Sequence, residues 1–303
     1  MPRFTRQGRI GLALLALLGT APFWLCALNG TLLARGTHPR QGQVVAASAR
    51  PAALASNHVT VMAFNIAKCF VYEGRGRLAD RVAVEARLAG VADLVREQNP
   101  DLLFLSEAVW EGGWGGVNQV TELARATGLT NYVFGENFCF GWPGHRLVCG
   151  NAILSRGRPV RALANPDLPG RRPFWVTRNN RRALRAEWGV ESGVLELVSL
   201  HNDSFVPTNN LAQVRYLLDR TGAGPAVWAG DFNATPDSES MQLLRRSGRF
   251  AAEWAGPPTL PNVNPDRTID YVLGPAAWTV VQHRVLTNRW SDHCAVVTTF
   301  RRT

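Results

Sequence analysis

The order of segments predicts an α/β protein in which two packed sheets carry helices on their outer faces. Three observations lead there. From His58 onward, strand-like and helix-like segments alternate. Several strand segments, DLLFLSE and PAVWAGDFN among them, are near-continuous apolar runs, as expected of strands buried on both faces. About ten strands exceed what one simple open sheet usually holds, and packing two sheets face to face resolves the excess.

The N-terminus carries a topological signal. RFTRQGR supplies Arg3, Arg6 and Arg9, and 25 residues from Ile10 to Ala34 then follow without a charged side chain. A bilayer needs only about 20 apolar residues, and the positive flank predicts a cytoplasmic N-terminus with everything after Arg35 on the far side. A cleavage site is poorly represented: Gly19-Thr20-Ala21 is followed by Pro22, and Ala47-Ser48-Ala49 lies far beyond the apolar run. Residues 1–34 are therefore expected to be a signal-anchor helix, with a cleaved signal peptide as the rival. The remainder would be extracytoplasmic, anchored to the inner or plasma membrane, or secreted if the segment is cut. Residues 35–57 are small, polar and Pro-containing, and read as a linker.

Residues 58–303 read as one domain, because no linker-like break divides them. HVTVMAFNI is a strand; Val84, Leu88, Val91 and Val95 then recur at helical spacing up to Asn99-Pro100. DLLFLSE is the second strand, VNQVTELARATG a helix closed by Gly128, and NYVFGENF with CGNAILSR a hairpin. ALRAEWGV and VLELVSLHN are strands, NNLAQVRYLLDRTG a helix, PAVWAGDFN a strand, and DSESMQLLRRSG a helix capped by Asp237 or Ser238. IDYVLG, WTVVQHRVL and HCAVVTTF close the chain as strands.

The net charge is +10; without Arg3, Arg6, Arg9 and Arg35 it is 29 basic against 23 acidic groups. That excess fits an anionic substrate. Lys68 is the only lysine, so almost all positive charge is guanidinium, which suits bidentate phosphate contacts. Cys139 and Cys149 flank a turn-rich segment and are either a disulfide across a hairpin or buried free thiols. No CxxC pair exists, so neither a zinc site nor a dithiol centre has support.

Polar residues cluster at the ends of the apolar strands. They are Asn65 in VMAFNIAK, Glu107 in LLFLSEAVW, His201 and Asn202 in LVSLHND, Asp231 and Asn233 in WAGDFNATPDS, Asp270 in RTIDYVL, and Asp292 with His293 in WSDHCAVV. Each alone has a dull explanation in a cap, a turn or a satisfied core histidine. Together they demand more, because a carboxylate at a buried strand end costs stability unless a cation, donor or water compensates it.

GDFNATP and SDHCAVV, with FNI, FLSE, GNAILSR, the strand ending in His201 and IDYVL in this order, resemble the endonuclease/exonuclease/phosphatase superfamily over residues 58–300. The resemblance implies a four-layered α/β/β/α sandwich of two mixed sheets and hydrolysis of a phosphoester. It implies Glu107 as the principal Mg²⁺ ligand, with Mn²⁺ able to substitute, and Asn65 and Asp292 assisting. Asp231, oriented by Asn233, would position or deprotonate the attacking water. His293, held cationic by Asp270, would stabilise the phosphoryl charge, and His201 would donate a second hydrogen bond or proton. Lys68 would reach the scissile phosphate.

Two departures stand out. Asn202-Asp203-Ser204 follows His201 where nucleases more often have a threonine or an aliphatic residue. NPDRTIDYVL lacks the Trp-Cys-Asp-Arg stretch of the five-phosphatase branch, which argues against inositol phosphates. Arg171, Arg172, Arg178, Arg181 and Arg182 suit a phosphate backbone or a solvated loop. Trp110, Trp114, Phe138, Phe140, Trp142, Phe174 and Trp175 suit base stacking, a lipid headgroup layer or ordinary packing. Nucleic acid is expected ahead of phospholipid as substrate, a non-catalytic surface module is the remaining alternative, and a monomer is expected.

Overall fold

The computed structural model describes residues 6–28, 38–47, 57–72, 75–76, 80–112, 116–142, 145–170, 181–190 and 193–302. In chain order the elements are α1 (Arg6–Leu28), β1 (Arg40–Gln43), β2 (His58–Asn65), β3 (Val71–Tyr72), β4 (Arg75–Gly76), α2 (Arg81–Gln98), β5 (Leu102–Gly112), α3 (Gln119–Thr127), β6 (Asn131–Trp142) and β7 (His145–Ser155). There follow β8 (Val160–Ala164), β9 (Ala183–Val190), β10 (Gly193–His201), α4 (Pro207–Arg220), β11 (Ala226–Asp231), α5 (Glu239–Arg246), β12 (Phe250–Ala251), β13 (Asp270–Pro275), β14 (Thr279–Leu286) and β15 (Ala295–Arg301).

A seven-stranded sheet has the order β1-β6-β7-β5-β2-β15-β14, and a six-stranded one β12-β13-β11-β10-β9-β8. Both are mixed, with β2 parallel to β5 and β10 parallel to β11 among antiparallel neighbours. The side-chain period of two sorts each strand between layers. Val61 and Ala63 of β2 meet Leu197 of β10 and Ala229 of β11 between the sheets. Met62 and Phe64 face the other way, onto Val84, Leu88, Val91 and Val95 of α2 and Leu123 of α3. On the far side, Leu200 and Trp228 pack against Leu217 of α4 and Met241 and Leu244 of α5. The result is the expected α/β/β/α layering, and each fully buried large aliphatic adds about 1.5–3 kcal/mol to it.

The helix ends follow the sequence signals. Asp80 Oδ1 accepts from Ala83 N at 2.8 Å, and Asn99 ends α2 in the left-handed region at φ 49°. Asn118 caps α3 and Gly128 ends it at φ 75°. Of the two candidates for α5, Ser238 is the cap, accepting from Met241 N at 3.3 Å, while Asp237 takes the Thr235 hydroxyl.

Two expectations are corrected, and one open alternative is decided. Within the expected linker, Arg40–Gln43 forms an edge strand on β6, because main-chain hydrogen bonds to an open sheet edge need no apolar pattern. The apolar N-terminus is helical, but among the described residues no helix is long and apolar enough to cross a membrane, so the transmembrane signal-anchor is not supported. Phe23 rests against Phe140 with ring centroids 6.0 Å apart. Finally, Cys139 and Cys149 are buried free thiols. Cys139 pairs with Val148 and Cys149 with Phe138, so adjacent residues of the hairpin send their sulfurs to opposite faces. Trp114, Phe174, Trp175, Arg171, Arg172 and Arg178 lie outside the described residues.

Gly230 is the tightest point of the second sheet. It sits beside Leu200 at φ 136°, and an added Cβ would collide with the Leu200 carbonyl oxygen. Gly230→Ala should lower the melting midpoint by roughly 5–10 °C, from about 2–3 kcal/mol of strain and clash; an unchanged midpoint in thermal denaturation would show that β10 and β11 are not in this register.

Candidate active site

Strand register brings the polar clusters together. In the second sheet His201 at the end of β10 pairs with Asp231 at the end of β11, which pairs with Asp270 at the start of β13. Three functional side chains thus form one cross-strand row. In the first sheet Asn65 ends β2 opposite Ser106 of β5. The two rows meet where Asn65 Nδ2 donates to Asp231 Oδ2 at 3.1 Å.

Asp231 is 1% exposed and lies at the centre. Its Oδ1 accepts from Asn233 N at 2.9 Å, an Asx-turn that sets Asn233 at φ 50°. The orientation expected from Asn233 therefore comes from its backbone. The Asn233 side chain turns away and donates to Asn202 O at 3.0 Å. On the other side of the Asp231 carboxylate, His201 Nε2 lies 3.5 Å and His293 Nε2 3.8 Å from Oδ2.

His293 is delivered by the loop before β15. Ser291 Oγ donates to Asn65 O at 2.6 Å and accepts from His293 N at 3.2 Å, tying the loop to β2. Asn288 Nδ2 donates to His293 O at 2.8 Å. His293 Nδ1 donates to Asp270 Oδ2 at 2.9 Å, and the Thr259 hydroxyl donates to the same oxygen at 2.7 Å. Ser291 opens the SDH motif, whereas Thr259 and Asn288 carry no sequence signal that would distinguish them from ordinary loop residues.

The two imidazoles have opposite electrostatics. Burial works against a charged His293, but the Asp270 carboxylate more than offsets it and raises the pKa to about 10. Burial, reinforced by the nearby Arg181 guanidinium, pushes His201 down to about 4. His201 is therefore neutral near pH 7. It can offer an Nε2–H hydrogen bond, the first of the two roles expected of it. Asp231 is raised by burial and by the neighbouring Asp270.

Glu107 reaches the site through a bulge. The pairing of β5 with β7 slips between Leu105 and Ala108, and Glu107 sits at φ 58° inside the slip. Burial opposes its charge, but the Lys68 ammonium and the His201 ring hold it down at about 2. Lys68 donates to Glu107 Oε2 from a left-handed turn at φ 58°, while His201 Nε2 stands 3.9 Å from Oε1. Burial also opposes the Lys68 charge, yet Glu107, with Asp292 contributing, raises its pKa. Lys68 thus bonds a candidate metal ligand and holds the place where a cation is drawn. Asp292 is half-buried and accepts from Ser291 Oγ at 3.3 Å.

Residues after His201 build a wall of the site. Asp203 Oδ1 accepts from Phe205 N and Val206 N at 2.8 and 2.9 Å, and its Oδ2 from Asn209 Nδ2 at 3.1 Å. The departure at Asn202-Asp203-Ser204 is thus a loop-forming sequence. It borders a cavity of about 650 Å³ lined by Ser204, Phe205, Asn233, Ser238 and Arg267 among others. Arg182 is buried on Asp167, and Trp110 stacks on Phe134 at 5.1 Å, so both are packing residues.

The charged form of His293 stabilises the folded state because its folded pKa is raised. That contribution is complete below the ordinary imidazole value of 6.5 and is lost as pH climbs through about 10. By NMR, the His293 ring should remain protonated at pH 8 and become neutral there in Asp270→Asn; a ring titrating below pH 7 in the unaltered protein would refute the pairing.

No curated protein matches the chain. Solved structures do. An endonuclease/exonuclease/phosphatase from Beutenbergia cavernae is 25% identical, with 81% of this chain and 72% of that one covered at a TM-score of 0.61. A mannosyl-6-phosphatase from Bacteroides thetaiotaomicron is 16% identical, covering 80% and 99% at 0.58. The human Nocturnin catalytic domain with a bound sulfate anion is 18% identical, covering 88% and 97% at 0.57. The family model described as Endonuclease/Exonuclease/phosphatase family matches residues 62–293, from inside β2 to His293 itself. The span takes in strands of both sheets and every polar strand end described above, and the chain belongs to the endonuclease/exonuclease/phosphatase family.

Proposed function

We propose that the protein hydrolyses a phosphodiester of nucleic acid in a divalent-metal-dependent reaction. The observation that carries this reading is the buried Asp231 carboxylate, held from one sheet by Asn65 and flanked by one cationic and one neutral imidazole. Its hydrogen bonds leave the carboxylate between the two rings, where it suits a base beside a phosphoryl group.

Asp231, made more basic by burial, orients the attacking water and receives its proton. His293, cationic through Asp270, donates Nε2–H to a phosphoryl oxygen and meets the charge developing there. His201 donates a neutral Nε2–H to a second oxygen. Pre-set donors of this kind need no reorganisation as charge builds, which is where most of their effect lies.

Mg²⁺ would be held by Glu107, with Asn65 and Asp292 assisting. These are hard oxygen donors, and the Lys68 ammonium already bonded to Glu107 marks a place that attracts a cation. The ligand atoms of Asp231, Asp270 and His293 also lie within 4.8 Å of one another, but Asp270 Oδ2 is committed to His293 and Thr259. When bound, the ion would neutralise phosphoryl charge. Lys68, bonded to Glu107, would be the cation nearest to an ion held there.

The cavity beside Asn233 would take the group next to the phosphorus. Its volume is that of a nucleotide-sized site, and Phe205, 61% exposed at its wall, offers a ring for a base to stack on. These features favour nucleic acid over a phospholipid headgroup.

The full-length protein should cleave single-stranded DNA or RNA with Mg²⁺ or Mn²⁺ and stop when a chelator is added. Asp231→Asn and His293→Ala should each reduce kcat by about a hundredfold or more with little change in melting midpoint. Faster turnover of sphingomyelin than of any nucleic acid would replace the substrate, and metal-independent or absent turnover across the panel would sink the reading.

A further inference from the structure

Arg181 and Arg182 are adjacent, yet they serve different parts of the molecule. Arg182 is 1% exposed; its Nε donates to Asp167 Oδ1 at 2.8 Å and its Nη1 to Glu136 O at 2.7 Å. Its charge is fully used inside the fold. Arg181 faces the other way, because extended backbone sends successive side chains to opposite sides. Its guanidinium is half-buried and donates from Nη2 to the Ser204 hydroxyl at 3.1 Å. Among the described residues no carboxylate closes on it within ion-pair distance. The acidic groups that act on it from further off are Asp231, Glu107 and Asp203, two of them the central carboxylates of the site.

A guanidinium withdrawn from water without a paired anion is costly, and the cost falls when an anion arrives. Ser204 also lines the cavity next to Asn233, so Arg181 stands between the catalytic centre and that cavity. Its charge acts on His201, Asp231 and Glu107, while Lys68 is bonded to Glu107 Oε2. Of these two cations, Lys68 is bonded to Glu107, whereas among the described residues Arg181 has no carboxylate within ion-pair distance. Its planar fork matches two oxygens of a phosphate, a geometry an ammonium does not provide.

We propose that Arg181 is a further catalytic residue, a clamp that binds two non-bridging oxygens of the phosphoryl group under attack. This rests on the hydrolase reading above and adds to it a specific anion contact. The anion is a phosphate group, and the clamp would act on diester and monoester alike.

The test compares the unaltered protein with Arg181→Ala, Arg181→Gln and Arg181→Lys, using bis-nitrophenyl phosphate and Mg²⁺. The Ala and Gln variants should lose about a hundredfold in kcat, and Lys should recover little of it, since it cannot bind two oxygens at once. Guanidinium ion added at millimolar levels should restore part of the Arg181→Ala rate and leave Asp231→Asn unaffected. In a separate titration, inorganic phosphate should bind the Ala variant about tenfold more weakly than the unaltered protein. If the unaltered protein turns over and the Ala and Gln variants stay within about twofold of it, the clamp is wrong while the hydrolase reading stands. A raised KM at constant kcat would move the contact to a neighbouring phosphate and equally overturn the assignment. If the unaltered protein hydrolyses no phosphoester, the hydrolase reading fails and the clamp with it.

Discussion

The site depends on a hydrogen bond that crosses between the two sheets, from Asn65 Nδ2 to Asp231 Oδ2. Asp231 is buried, so its carboxylate must be compensated locally, and each sheet supplies part of what it needs. The second sheet contributes Asn233 N and the neighbouring His201; the first contributes Asn65 and, through Ser291, the loop that carries His293. The sandwich is apolar along most of its inter-sheet face, and the site's polar groups lie where the strands end. Packing sets the distance between the sheets, and the polar groups inherit it.

Neighbours, rather than residue type, decide what the two histidines do. Both are almost fully buried, and burial alone would neutralise both. His293 has a carboxylate at hydrogen-bond distance and keeps its proton; His201 has Arg181 nearby and carboxylates only at 3.5 Å or more. The pair therefore presents one cation and one neutral donor to the same space. Phosphoryl transfer makes use of both, since it asks mainly for positioning and for charge placed in advance.

Several site residues have backbone conformations that local sequence preference disfavours. Lys68, Glu107 and Asn233 all have positive φ without being glycine. Such conformations cost of order 1–3 kcal/mol each and persist only when the surroundings impose them. Here the surroundings are visible: a bulge in β5 turns Glu107 into the site, a left-handed turn brings Lys68 to meet it, and an Asx-turn fixes Asn233 beneath Asp231.

The order of elements, their helix caps and the six polar strand ends were legible in the sequence, because they follow from period-two and period-3.6 patterns and from a few motifs. GDFN and SDH needed no coordinates to be singled out, since a carboxylate at the end of an apolar strand already asks for a partner. Three things had no local signature. The edge strand at Arg40–Gln43 forms because β6 has an open edge. The opposite directions of Cys139 and Cys149 follow from hairpin register, and the division of labour between Arg181 and Arg182 from which side of an extended chain each occupies. These are decisions about register and facing, and a single residue of slip reverses them. Composition and spacing therefore determined which residues this protein would use, and only the packing of one sheet on the other decided which atoms meet.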